Sequence, residues 1–147
     1  MSIRSSHSIR KILRTCGMLA LVLFLMTGCS GFKMSFTTTG NNTTIEVKSA
    51  DDGYSAESPD FSVGSGRAAV ITSSLEEGKL KIDFMQVTIF HNEDNSPDDV
   101  IYGDIAETIT IGPGDKQTIA LPASDYIMQV TVVGKTSGKV TVNIEKQ

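Results

Sequence analysis

Cysteine and histidine are scarce in this 147-residue chain, two of each, and only Cys29 and His91 lie beyond the first 28 residues. One cysteine and one histidine cannot build a zinc cluster or a Cys-His nucleophile pair, and they leave no disulfide beyond residue 28. His91 is then the one histidine for general-base work near neutral pH. It ends a strand-like run in phase with Met85, Val87 and Ile89, so a structural or surface role at the core edge is expected.

Basic residues are also in short supply, 13 against 17 acidic. Four of them, Arg4, Arg10, Lys11 and Arg14, precede residue 29, whereas every acidic residue follows it; the remainder carries nine basic and 17 acidic residues, a net charge near −8. Such a balance excludes nucleic acid as a partner, since phosphate binding needs clustered Lys and Arg. It also opposes adhesion of the folded domain to anionic lipid. Long apolar runs are missing: Met18 to Met26 spans nine residues, under half of the roughly 20 that a transmembrane helix needs. No stretch beyond Cys29 repeats apolar residues at helical spacing between cap signals. The formal G-x-G-x-x-A match at Gly64 to Ala69 runs on into Val70, Ile71 and Thr72 as strand, so it lacks the helix that a dinucleotide site requires. No G-x-S-x-G nucleophile elbow is present.

The N-terminus is a positive block without acids followed by the short apolar run, which is the order of an export signal. Leu25-Met26-Thr27-Gly28-Cys29 then resembles the bacterial lipobox, with Met26 where that family usually has Leu, Val or Ile. The resemblance implies cleavage after residue 28, a diacylglyceryl group on the Cys29 thiol and acylation of the new amine. Two or more acyl chains hold a protein stably on a membrane. Residues 1–28 are therefore read as a helical cleaved signal, residues 29–32 as lipidated Cys29 and a short tether, and residues 33–147 as one domain.

That domain reads as all-β. Lys33 to Lys48, broken by Gly40-Asn41-Asn42, predicts a hairpin. Ser49 to Arg67 predicts a long loop with one short edge strand through Phe61 and Val63, and with Tyr54 and Phe61 plugging an open end. Ala68 to Ser74 predicts a strand turned by Glu76-Glu77-Gly78. Lys79 to His91 is the strongest strand signal, but Leu80, Ile82 and Phe84 are out of phase with Met85, Val87 and Ile89, so a β-bulge or a sharp bend near Phe84 and Met85 is expected to restore a common buried face. Strands follow at Val100 to Tyr102, Glu107 to Ile111 and Gln117 to Leu121. Tyr126 to Val133 is expected to form a hairpin with Lys139 to Ile144 through Gly134 to Gly138. About eight or nine short strands predict a single antiparallel β-sandwich, jelly-roll-like.

Gly78 to Phe84, Pro122 to Tyr126 with Met128, Val130 and Val132, and Gly138 to Ile144 are similar to the bacterial prepeptidase C-terminal β-sandwich. Asp125 stands where that family usually has Gly. The resemblance implies an accessory or binding module.

The acidic run Glu93 to Asp99 offers hard oxygen ligands in Glu93, Asp94, Asp98 and Asp99, although it lacks EF-hand spacing. A solvated turn is the expected role; a Ca²⁺-dependent module is the alternative. Paired carboxylates of a small polysaccharide hydrolase are a further alternative, with no local pair to support it. The leading expectation is a non-catalytic, lipid-anchored domain without a cofactor, on the exported side of the cell membrane or outer membrane, binding an envelope protein or glycan.

Overall fold

In the computed structural model, residues 33–93 and 96–147 are described; Cys29, the signal segment and Asp94 lie outside them. The chain enters the fold through β1 (Met34–Thr39) and β2 (Asn42–Ala50), the expected hairpin, paired antiparallel from Met34↔Val47 to Thr39↔Asn42. Thr43, Ile45 and Val47 alternate inward along β2, which fixes its register against the core.

Two short strands, β3 (Ser55–Glu57) and β4 (Phe61–Val63), emerge from the Ser/Asp/Gly-rich segment. The second is the predicted edge strand. The first has no apolar alternation of its own and is specified by its partner strand. Tyr54 and Phe61 are half-buried against the core, as plugs should be.

The largest departure from the sequence reading concerns chain reversals. Glu76-Glu77-Gly78 does not turn the chain: β5 runs unbroken from Arg67–Phe90. Likewise Gly134 to Gly138 does not close a hairpin, because β8 is one strand, Ser124–Lys146. The two pair with each other along nearly their whole length, from Arg67↔Lys146 to Val87↔Asp125, and their register slips only between Leu75 and Lys79. Within the slip Glu76 is unmatched on the β5 side and residues 134–136 stand against Gly78 alone, so β8 carries a net surplus of one residue. The glycines therefore serve a shared bend rather than two reversals, since both strands change direction at the same rung.

That bend organises the sandwich. On one side of it, β1, β2, the 137–146 half of β8, the 67–75 half of β5 and β7 (Lys116–Ala120) form one layer. On the other side, β3 and β4, the 124–133 half of β8, the 79–90 half of β5 and β6 (Asp99–Ile111) form the second. Eight antiparallel strands thus belong to one sheet folded over on itself. Ile45, Ile71, Val140 and Val142 from the first layer share a core with Leu80, Ile82, Phe84, Met128 and Val130 from the second. Tyr126 is fully buried between them; its hydroxyl donates to the Pro122 carbonyl at 2.8 Å and accepts from Gln86 Nε2 at 3.4 Å, so the phenol is satisfied. Phe61 stacks on Tyr126 at 6.0 Å and meets Phe84 edge-on at 6.5 Å.

The predicted irregularity at Phe84 and Met85 is present, but its extra residues belong to β6. Phe84 pairs with Glu107, Met85 with Ile105 and Val87 with Tyr102, which leaves Ala106 unmatched and sets Gly103 and Asp104 against Gln86 alone, while β5 stays in step with β8 through the same region. The consequence is decisive for the surface. Since β5 is not bulged there, Met85, Val87 and Ile89 stay on the outer side of the layer, where Val87 is nevertheless buried and Met85 and Ile89 are half-buried.

Candidate binding face

Register places side chains of paired residues on the same side of a sheet. On the outer side of the second layer, Lys79 and the exposed Val133 lie next to the bend, and the following row is polar: Ser55, Thr131, Lys81 and Thr110. The next row is Glu57, Gln129, Asp83 and Thr108. Farther from the bend the rows become apolar, with Ile127, Met85 and Ile105, then Val87 with Tyr102, then Ile89 with Val100.

The polar half is tightly satisfied. Asp83 is almost fully buried, accepts from the Thr108 hydroxyl at 2.6 Å and pairs with Lys81 at 2.9 Å. Burial acts to raise the Asp83 carboxyl, but the Thr108 hydrogen bond and the Lys81 ammonium outweigh it, and its pKa lies below the usual value. A folded-state pKa below the unfolded one adds stability above about pH 4, lost as the pH falls through the folded value. Asp83→Asn should cost about 1–2 kcal/mol at pH 7. Urea denaturation at pH 7 and pH 3 should show the gap to wild type narrowing in acid.

The apolar half is open. Ile101 is 57% exposed, Tyr102 54%, Phe90 51% and Ile105 50%, with Val100 close behind. The Tyr102 hydroxyl donates to a Glu57 carboxylate oxygen at 3.3 Å. Because Glu57 lies on β3, beyond β8, the tyrosine ring reaches across the sheet from β6, and Val87 and Ile127 on the same side are buried. Phe90 and Ile101 stand on the opposite side of the same two-stranded ribbon, since their register partners are Asp99 and Thr88. The ribbon therefore offers large apolar groups on both faces, which a monomeric soluble surface rarely leaves contiguous. A shallow depression of about 430 Å³ adjoins it, lined by Ser62, Gly64, Thr88, Ile89 and Asp125.

The loop at the ribbon's tip holds its own contacts. His91 Nδ1 lies 2.8 Å from an Asp98 carboxylate oxygen, and Asn92 Nδ2 donates to the Pro97 carbonyl at 2.8 Å. His91 is thus a surface residue, not one at the core edge. Of the Ca²⁺ candidates, Asp98 is engaged by His91, Glu93 and Asp99 sit at opposite ends of the loop, and Asp94 is outside the described residues. Among the described residues no three His, Cys, Asp or Glu side chains are grouped to hold a metal ion.

A second opening, about 250 Å³, lies at the mouth of the sandwich between Gly40-Asn41 and Asp60-Phe61-Ser62, with Met128, Val142 and Ile144 lining it. The Phe61 ring, the one aromatic there, spends its face on Tyr126.

Charge singles out the ribbon in a way that the whole-chain balance conceals. Between Lys81 and Lys116 there is no lysine or arginine but eight acidic residues, whereas the rest of the chain beyond Cys29 carries nine of each sign. The net −8 belongs entirely to β5's distal half, the tip loop, β6 and the turn after it. This segregation was present in the sequence, but only strand pairing shows that it falls on one structural element.

No protein-family model matches the chain, and no curated protein matches it. A solved chain described as "CBM4 structure and function" superposes with a TM-score of 0.36 and 11% identity, over 82% of this chain and 81% of that one. At that level of similarity, the chemistry of the face has to be read from this chain's own residues.

Proposed function

We propose that the protein is a lipid-anchored, non-catalytic binding module of a bacterial envelope, and that the apolar ribbon of β5 and β6 is where it holds its partner. The carrying observation is the set of half-exposed Phe90, Ile101, Tyr102 and Ile105 on a well-paired scaffold. Leaving such groups in water forgoes about 25 cal/mol for each Å² that could be buried, so a surface that keeps them together fits one that is covered in use. Tyr102 and Phe90 are side chains of the rigid, aromatic kind that dominate binding energy at interfaces.

Anchoring comes from the lipobox resemblance at Cys29. With a tether of only Ser30, Gly31 and Phe32, at about 3.5 Å per residue, the domain would lie within about 10 Å of the lipid surface. The lipid would place it on the exported side of the cell membrane or outer membrane, with the acidic domain itself contributing no attraction to anionic headgroups.

One experiment addresses both parts. Cells expressing the full chain with a photoreactive amino acid at position 105 are labelled with an alkyne fatty acid. The wild type should carry the label, and Cys29→Ala should lose it. Irradiation should give a discrete adduct from position 105 and none from a probe at position 139, on the opposite layer. A labelled Cys29→Ala chain would refute the anchor, and equal adducts from both positions would refute the binding face.

A further inference from the structure

We infer that the partner of this face is an extended, basic polypeptide segment that adds to the free edge of β6 as a further strand. The inference rests on reading the ribbon as the binding surface, and names the chemistry of what binds.

The first observation is the edge itself. Among the described residues β6 pairs with β5 alone, so its other side carries unpaired backbone N–H and C=O groups. At the far end Gln117 Nε2 donates to the Thr110 carbonyl. Two bulges, at Gly103-Asp104 and at Ala106, interrupt the middle. The run Asp99 to Tyr102 remains regular, paired from Phe90↔Asp99 to Val87↔Tyr102. Exposed edges are ordinarily guarded by charged side chains, especially lysine, by proline or by bulges. On β6 the bulges, Asp104 and Glu107 lie beyond Tyr102, leaving Asp99 as the one charge in the regular run; lysine and proline are the other usual guards. This run has neither. A strand added here would find Val100 and Tyr102 on one face and Phe90 and Ile101 on the other, pockets for alternate side chains of the kind that give β-augmentation its specificity.

The second observation is the sign of the charge. Asp99, Asp104 and Glu107 lie along this edge, beside the His91–Asp98 pair, with no lysine or arginine between Lys81 and Lys116. Antiparallel pairing of two copies through β6 would bring two acidic edges, each without lysine or arginine, within a Debye length of one another, which opposes self-association. Anionic lipid and nucleic acid are repelled for the same reason. A segment alternating Lys or Arg with β-branched or aromatic residues is complementary in both respects.

The test selects random octapeptides displayed on phage against the purified, lipidated full chain in detergent. Selected peptides should be rich in Lys and Arg alternating with Val, Ile, Tyr or Phe, and poor in internal proline. A synthetic peptide of the selected sequence should slow amide hydrogen exchange at 99–102, and its affinity should fall severalfold as salt rises. The charge reversal Asp99→Lys with Asp104→Lys, at two exposed positions, should weaken it at least about tenfold. Circular dichroism and thermal melts establish that this variant is folded; should it not be, Glu107→Lys alone should weaken the peptide in the same direction. Selected peptides without basic character, protection elsewhere than β6, or a sedimentation result showing a dimer with protected 99–102 amides would each overturn the inference. A non-basic partner crosslinked at position 105 in cells would overturn it too while leaving the binding-module reading intact; loss of that crosslink would remove the reading itself.

Discussion

Gly138→Ala should lower stability by on the order of 3–4 kcal/mol and the melting temperature by roughly 10–20 °C. Gly138 sits where β8 is held between Val47 of β2 and Leu75 of β5, with φ at +117°, a backbone conformation that side-chain-bearing residues rarely adopt. A methyl group there would lie 2.7 Å from both the Leu75 Cα and the Ser74 carbonyl oxygen. The backbone strain is worth about 1–3 kcal/mol and the overpacking a similar amount. Both obstacles are main-chain atoms in the middle of a paired sheet, so neither can rotate away. Gly78 is the matching position on β5: its φ is +75°, and a methyl group would run into Thr136, whose buried hydroxyl accepts from the Lys79 amide and bonds its carbonyl, each at 3.2 Å. Gly114→Ala is the control, because its φ is also positive but no atom lies within 4 Å. It should lose only the backbone part, about 1–2 kcal/mol. Equal, mild losses at Gly138 and Gly114 in denaturant melts would show that the bend is not the pinned feature described above.

The second large effect is on binding. Replacing Ile101, Tyr102 and Ile105 together by serine should weaken the complex with the partner crosslinked at position 105 by at least about 100-fold. Aromatic and aliphatic anchors at interface centres are worth about 2 kcal/mol or more each, although such values do not add strictly. Stability should fall by about 2–4 kcal/mol, the share of the three side chains that is out of water. A titration of wild type and triple variant against that partner, with a urea melt of each, separates the two quantities. Unchanged affinity with intact folding would place the partner elsewhere on the domain.

Much of the fold is legible in the residues. The β1–β2 hairpin follows from Gly40-Asn41 between two alternating runs, and the edge strand through Phe61 and Val63 is where the apolar residues of the long segment lie. The absence of helical periodicity beyond Cys29 matches the all-β sandwich. Glu76-Glu77-Gly78 and Gly134 to Gly138 read as turns in the sequence because the local chemistry is the same: glycine with a positive φ serves both a reversal and a sharp change of direction. Only the simultaneous slip of β5 and β8 between Leu75 and Lys79 distinguishes them. For the candidate face, Val100 to Tyr102 and the out-of-phase Met85, Val87 and Ile89 are recognisable as strand, and the expected irregularity near Phe84 and Met85 is present, but it does not restore a common buried face: of the three, only Val87 is buried. The surplus residues sit in β6.

The sequence by itself determined the composition of this protein's possibilities: one cysteine and one histidine beyond residue 28, a strongly acidic domain, and period-two alternation that commits it to strands. These are local or summed properties, and a chain displays them without being folded. Which apolar residues meet water was decided only by the tertiary structure. Alternation says that Met85 and Phe84 face opposite ways, but not which side will be covered. Covering depends on strands distant in the chain: the layer of β1, β2 and β7 folds over the inner side at Leu80, Ile82 and Phe84. Nothing comparable among the described residues covers the outer side at Ile105 and Tyr102. Burial is a long-range outcome of where the sheet bends, and here that bend leaves the acidic, apolar ribbon free.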